Sequence, residues 1–213
     1  MNSTKSTKSA TSTTSTYSLR TLTRRAALVA VAGAAAFVLA ACGGDGDGTD
    51  SGSGAHNAQD VSFAQGMIPH HRQALEMARL ADGRAASEAV KDLAARVEKA
   101  QDPEIRTMTG WLEQWGEDAP ESADGMDHSA SHSGMPGMMG GEDMAELEKS
   151  EGKAFDTRFL ALMVEHHEGA VKMAGVEKSK GRYGPATAMA DDIVTAQNAE
   201  IGEMNKLLGK SRG

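Results

Sequence analysis

The sequence predicts an all-α fold, a four-helix bundle made of two duplicated helical hairpins, and three observations predict it. Apolar residues recur at helical spacing over 60–81, 85–115, 142–178 and 186–208, broken at Asp82-Gly83 and over 116–120 and 181–185. The segment Asp60-Val-Ser-Phe63-Ala-Gln-Gly-Met67-Ile-Pro-His70-His71-Arg-Gln-Ala74-Leu-Glu-Met77 lies without a gap over Asp156-Thr-Arg-Phe159-Leu-Ala-Leu-Met163-Val-Glu-His166-His167-Glu-Gly-Ala170-Val-Lys-Met173. The same offset carries Val97, Gln101, Glu104-Ile105 and Met108 onto Ile193, Gln197, Glu200-Ile201 and Met204, so the repeating unit is a whole hairpin. Two hairpins with one apolar face each satisfy both faces by packing together.

Ahead of this domain, residues 1–41 read as an address. A Ser/Thr-rich stretch leads into Arg24-Arg25 and an apolar run over 26–41, shorter than the roughly 20 residues a bilayer span takes. Arg24-Arg25 resembles a twin-arginine signal, and Leu39-Ala40-Ala41-Cys42 resembles the box at which a bacterial lipoprotein is cleaved and lipidated on its cysteine. The expectation is an exported protein on the outer face of the cytoplasmic membrane, anchored through lipid at Cys42. Residues 42–57, rich in Gly, Asp and Ser, read as a flexible tether to a bundle over 58–210.

Cys42 is the only cysteine, which excludes an intrachain disulfide, and lipidation would remove its thiolate as a ligand. The chain carries a net charge of −8, and five basic residues (Lys5, Lys8, Arg20, Arg24, Arg25) but no acidic ones precede Cys42. The mature part is therefore more acidic still, which excludes nucleic acid as a natural partner and suits cations.

Paired Phe-x-x-x-Met-x-x-His-His-x-x-Ala-x-x-Met segments, each followed by Gln-x-x-Glu-Ile-x-x-Met, resemble the bacterial domain-of-unknown-function family 305 over about 60–208. The resemblance implies a ferritin-like helical bundle in an exported protein, with copper handling in some members and no settled general activity.

At about 100° per residue, Phe63, Met67, His70, Ala74 and Met77 form one stripe, with Asp60 and His71 at its edge. An imidazole buried without a partner costs on the order of 1–3 kcal/mol, so a central histidine in both copies, His70 and His166, needs a reason. One reading is metal ligation by His70, His71, His166 and His167 with the thioethers of Met67, Met77, Met163 and Met173, a set that suits Cu(I). The other is that Met fills core gaps and each His bonds a carboxylate across the bundle.

Glu104 falls on a stripe with Leu93, Val97, Ala100, Met108 and Trp111, and Glu200 on one with Met189, Ile193, Ala196, Met204 and Leu207. Their expected partners are His70 or His166, a metal, or an arginine such as Arg96 or Arg106. A low-complexity linker over 121–141 holds Met126, His128, His132, Met135, Met138 and Met139, with Met144 after it, and reads either as a flexible, solvated tract that collects metal or as a solvated linker that drifted toward Met. Pro69 and Pro103 are expected to bend or restart the first hairpin's helices.

Functionally, the sequence points to a non-enzymatic lipoprotein that binds copper or another soft metal for buffering or transfer, with a metal-accepting protein or a second copy as partner. The alternatives are a structural or interaction module without metal, and a ferritin-like metalloenzyme. Met-x-x-His in place of Glu-x-x-His weighs against the di-iron version of the last.

Overall fold

A computed structural model describes residues 55–120 and 134–209. The leader over 1–41, Cys42, most of the tether and the linker residues Met126, His128 and His132 lie outside the described residues. Among the described residues five helices follow one another: α1 (Ala58–Arg84), α2 (Glu88–Trp115), α3 (Gly141–Lys149), α4 (Gly152–Lys180) and α5 (Gly184–Leu207). None of them is long and apolar enough to cross a membrane. The single helix expected over 142–178 is two, because the chain is extended at Ser150 and Glu151 and takes a left-handed φ of 61° at Gly152. The prolines interrupt neither α1 nor α2, which run on through Pro69 and Pro103.

The start of α1 is capped where the tether was expected to continue. Asn57 accepts from the Gln59 and Asp60 amides, and Asp60 accepts from the Asn57 amide, a reciprocal capping box. His56 stacks on Trp115, with ring centroids 4.5 Å apart. His56 and Asn57 thus pack with the helices.

Helices α1 and α2 pack as one hairpin, α4 and α5 as the other, and α1 lies against α4 between them. Two apolar clusters result. One joins Ala74, Met77, Leu93 and Val97 to Phe155, Phe159, Met163 and Met204. The other joins Phe63, Met67, Met108 and Leu112 to Ala170, Ala174, Ala190 and Ile193. The C-terminal half of α1 therefore meets the N-terminal half of α4 and the reverse, so the two helices run antiparallel. The duplication exchanges the clusters: Phe159 stands where Phe63 does, and Ile193 where Val97 does.

The same pseudo-twofold relation governs the turns. Asp60 accepts from the Arg182 and Tyr183 amides at 2.9–3.2 Å, holding the α4–α5 turn. Its counterpart Asp156 accepts from the Ala86 and Ser87 amides at 3.0 Å, holding the α1–α2 turn. Each hairpin thus clasps the other's turn through its first acidic residue.

Candidate functional site

Between the two apolar clusters lies a polar layer. His70 and His71 stand midway along α1, His166 and His167 midway along α4, and all four are at most 1% exposed. The His70 and His166 rings lie against each other with centroids 3.8 Å apart and planes 40° apart. The sequence placed His71 at the edge of its stripe; the structure buries it and His167 fully, because α2 and α5 cover that side of α1 and α4 with Glu104 and Glu200.

Hydrogen bonds fix the tautomers. His71 Nε2 lies 2.7 Å from Glu104 Oε2, and His167 Nε2 lies 2.7 Å from Glu200 Oε2. His70 Nε2 lies 3.1 Å from the Pro136 carbonyl oxygen. A carbonyl oxygen and a carboxylate only accept, so in all three rings Nε2 carries a hydrogen and donates, and in the neutral His70 ring this leaves the lone pair on Nδ1. Each of those Nδ1 atoms is buried without a hydrogen-bond partner, and His166 lacks a partner on both ring nitrogens. Burial, reinforced by the neighbouring His71, holds His70 down at about 3. Burial and then His70 hold His166 well below the usual imidazole range. Both rings are neutral at physiological pH, with lone pairs unprotonated.

The sequence offered His70 and His166 as partners for the two glutamates; the structure gives that place to His71 and His167. Glu104 and Glu200 are 25% and 18% exposed at their side chains, so each hydrogen-bonded His–Glu pair reaches from the interior toward solvent. The arginines are engaged elsewhere, Arg96 with Glu203 and Arg106 with Asp102. On the same faces Ala100, Ala196 and Leu207 turn outward, while Gln101 and Gln197 are buried beside the layer with bare Oε1 atoms. The repeat carried the signal for these glutamines, since both copies keep Gln at that place.

Thioethers flank the layer on both sides. Met77 and Met163 share one apolar cluster, Met67 and Met173 border the other, and all but Met173 are fully buried. Of the linker residues, Met135, Met138 and Met139 are half-buried against the bundle, and Met144 is in its core, so this end of the linker is not the solvated tract expected. Met139 and Met144 have apolar neighbours enough to account for their identity as packing residues.

Among the described residues no three His, Cys, Asp or Glu side chains gather at metal-ligand spacing. A site here would take imidazole nitrogen from the His70–His166 contact and complete itself with sulfur. That donor set is soft, which favours Cu(I) over Zn or Mg. Glutamates on the outer nitrogens of His71 and His167 match the carboxylate support that metal-binding imidazoles commonly have.

Comparison with known proteins bears on this layer. A DUF305 protein from Streptomyces coelicolor, whose name marks it as a candidate secreted protein, is 33% identical, with 71% of this chain and 93% of that chain covered at a TM-score of 0.64. A DUF305 fragment from Deinococcus radiodurans is 31% identical over 73% of this chain and 98% of its own, also at 0.64. CopM in its Cu(I)-bound form is 30% identical over 72% of this chain and 98% of its own, at 0.58. CopM has also been solved with Cu(II) and with Ag. Comparison with curated proteins gave no match. The model of the family described as a domain of unknown function, DUF305, matches residues 60–208. With the duplicated His-His hairpins, the all-helical fold and that match in agreement, the chain belongs to the DUF305 family.

Proposed function

We propose that this protein is an exported, membrane-tethered copper-binding protein, not an enzyme, that holds Cu(I) between its two hairpins and buffers the ion or passes it to an acceptor. The observation that carries this reading is the set of buried imidazole nitrogens that have no hydrogen-bond partner among the described residues, with His70 and His166 held neutral. A core selected for stability alone would not keep them. An electron-pair acceptor completes them, and sulfur beside nitrogen selects a soft one. The Cu(I) form of CopM, a family member 30% identical, supports the choice of metal. The leader pattern and the Streptomyces relative support export, with a lipid on Cys42 as the tether.

The test is a Cu(I) titration of the protein against a coloured chelator, beside a His70→Leu/His166→Leu double variant. The wild type is expected to take Cu(I) from the chelator and the variant to lose at least one equivalent. Equal, poor competition by both would leave the layer as a structural feature without metal.

A further inference from the structure

The segment 135–139 runs across the mouth of the His layer, and two residues that break the duplication hold it there. Gln73 and Gly169 occupy equivalent places in the two hairpins, one turn beyond His70 and His166. On α1, Gln73 clamps the Met139 backbone from both sides: its Oε1 accepts from the Met139 amide at 2.7 Å and its Nε2 donates to the Met139 carbonyl at 3.0 Å. On α4, Gly169 lets the other end of the segment come down onto the helix. A Cβ there would stand 2.0 Å from the Pro136 carbonyl oxygen and 2.8 Å from Gly137 Cα.

Gly137 fits its place for two reasons. Its φ is +75°, and a Cβ would lie 2.5 Å from the Glu165 carbonyl oxygen. Held so, the Pro136 carbonyl faces His70 Nε2 at 3.1 Å. The Met135 sulfur and the Met173 methyl carbon both border Gly66, one turn before His70, at 4.0 and 3.1 Å from a Cβ built on that glycine. A thioether from the linker and one from α4 therefore lie together over Gly66, one helical turn from His70.

We propose that residues 135–139 form a strap that closes the site and brings the Met135 thioether to it, with Gln73 and Gly169 as the positioning residues. This rests on the copper reading above and adds to it that linker and bundle make one composite site rather than two. The hydrogen bond from His70 Nε2 to Pro136 fixes the tautomer that leaves Nδ1 as the ligand atom, so strap docking and metal binding support each other. An undocked strap removes both a sulfur and that bond.

The experiment is Gly169→Ala in the whole protein, with Gly175→Ala on the same helix as control, since a Cβ at Gly175 meets nothing within 4 Å. Alanine favours the helix at both positions, so neither variant is expected to lower the thermal midpoint by the helix effect. Gly169→Ala is expected to expel the strap: hydrogen exchange at the Met139 amide speeds up, and Cu(I) affinity falls about tenfold or more, while Gly175→Ala changes neither. Gln73→Ala is expected to move both readouts in the same direction. Faster Met139 exchange with unchanged Cu(I) affinity overturns the strap's role in binding, and unchanged exchange in both variants overturns its docking. Failure of the wild type itself to bind Cu(I) refutes the copper reading and takes the strap's contribution with it.

Discussion

His70 and His166 touch ring to ring, 3.8 Å between centroids, at the place where the two duplicated hairpins cross. Helix α1 brings one and α4 the other, and each ring has an unpartnered Nδ1 in the interior. A pair of leucines would fill the same space at lower free energy, since a buried polar atom left unbonded costs on the order of 1–3 kcal/mol.

Stability and metal binding should therefore move in opposite directions. The His70→Leu/His166→Leu variant is predicted to unfold at higher denaturant than the metal-free wild type, by about 1–3 kcal/mol or more. A destabilised double variant would mean that the imidazoles contribute to the core rather than burden it.

The depressed imidazoles also set a pH dependence. In the folded state His70 titrates at about 3 and His166 well below the usual range, whereas in the unfolded chain both take up a proton near 6.5. As pH falls below 6.5 the unfolded chain binds protons that the folded one refuses, so stability is present above that value and is lost toward acid. Each ring contributes a slope of up to about 1.4 kcal/mol per pH unit. Denaturant unfolding between pH 7 and 5 should show a steeper loss for the wild type than for the double leucine variant. Parallel profiles would contradict this.

A second buried pair carries the opposite sign. Asp60 and Glu177 are both 0% exposed, and the Glu177 carboxyl faces Asp60 and the Gln59 side chain. Burial first, then Asp60, push Glu177 up to about 8. Burial also pushes Asp60 up, but the Glu177 carboxyl and the Asn57, Tyr183 and Arg182 amides outweigh it and hold Asp60 below its ordinary value. Glu177 is thus the member of the pair that keeps a proton near neutrality, beside an ionised Asp60. Its contribution is fully present below about 4.5 and is lost as pH rises through 8. Between pH 6 and 9 the melting temperature of the wild type is expected to fall and that of Glu177→Gln, which keeps a donor at every pH, to stay level. An equal fall in the variant would exclude the proton on Glu177.

The two clasps differ in worth because they differ in burial. Asp60 is enclosed and also caps α1, whereas Asp156 is half-buried and its bonds lie nearer the surface. Asp60→Ala is predicted to cost about 2–4 kcal/mol and Asp156→Ala about 1 kcal/mol. Equal losses in chemical unfolding would show that burial is not what separates them.

Carboxylate support is testable at the other ring nitrogen. Glu104→Gln and Glu200→Gln keep the shape but lower the basicity of His71 and His167, and each should weaken Cu(I) binding by about 10–100-fold if those imidazoles take part. Unchanged affinity in both would restrict the site to His70, His166 and sulfur.

Much of this was legible in the sequence and some could not be. Helical periodicity and the gapless repeat foretold the hairpins and the central place of His70 and His166, because both are local or self-referential signals. The Glu–His contacts were foreseen but assigned to the wrong ring of each pair: a helical wheel places His71 at a stripe's edge, and only the outer helix shows that this edge is covered too. Gln101 displaced Ala100 from the core for the same reason, as did Gln197 Ala196, since the interior layer is polar and a hydrophobic stripe does not predict a buried amide. The docking of 135–139 was invisible. It depends on the absence of a side chain at Gly169 and on one amide at Gln73, far along the chain from the segment they hold.

X-ray absorption at the copper edge of the Cu(I)-loaded protein reads the ligand atoms themselves. Imidazole nitrogen and thioether sulfur together in the first shell, with the nitrogen signal lost in the His70→Leu/His166→Leu variant, is the predicted result. A shell of oxygen and nitrogen alone, or a spectrum that the double variant leaves unchanged, would contradict the assignment of the histidine layer as the copper site.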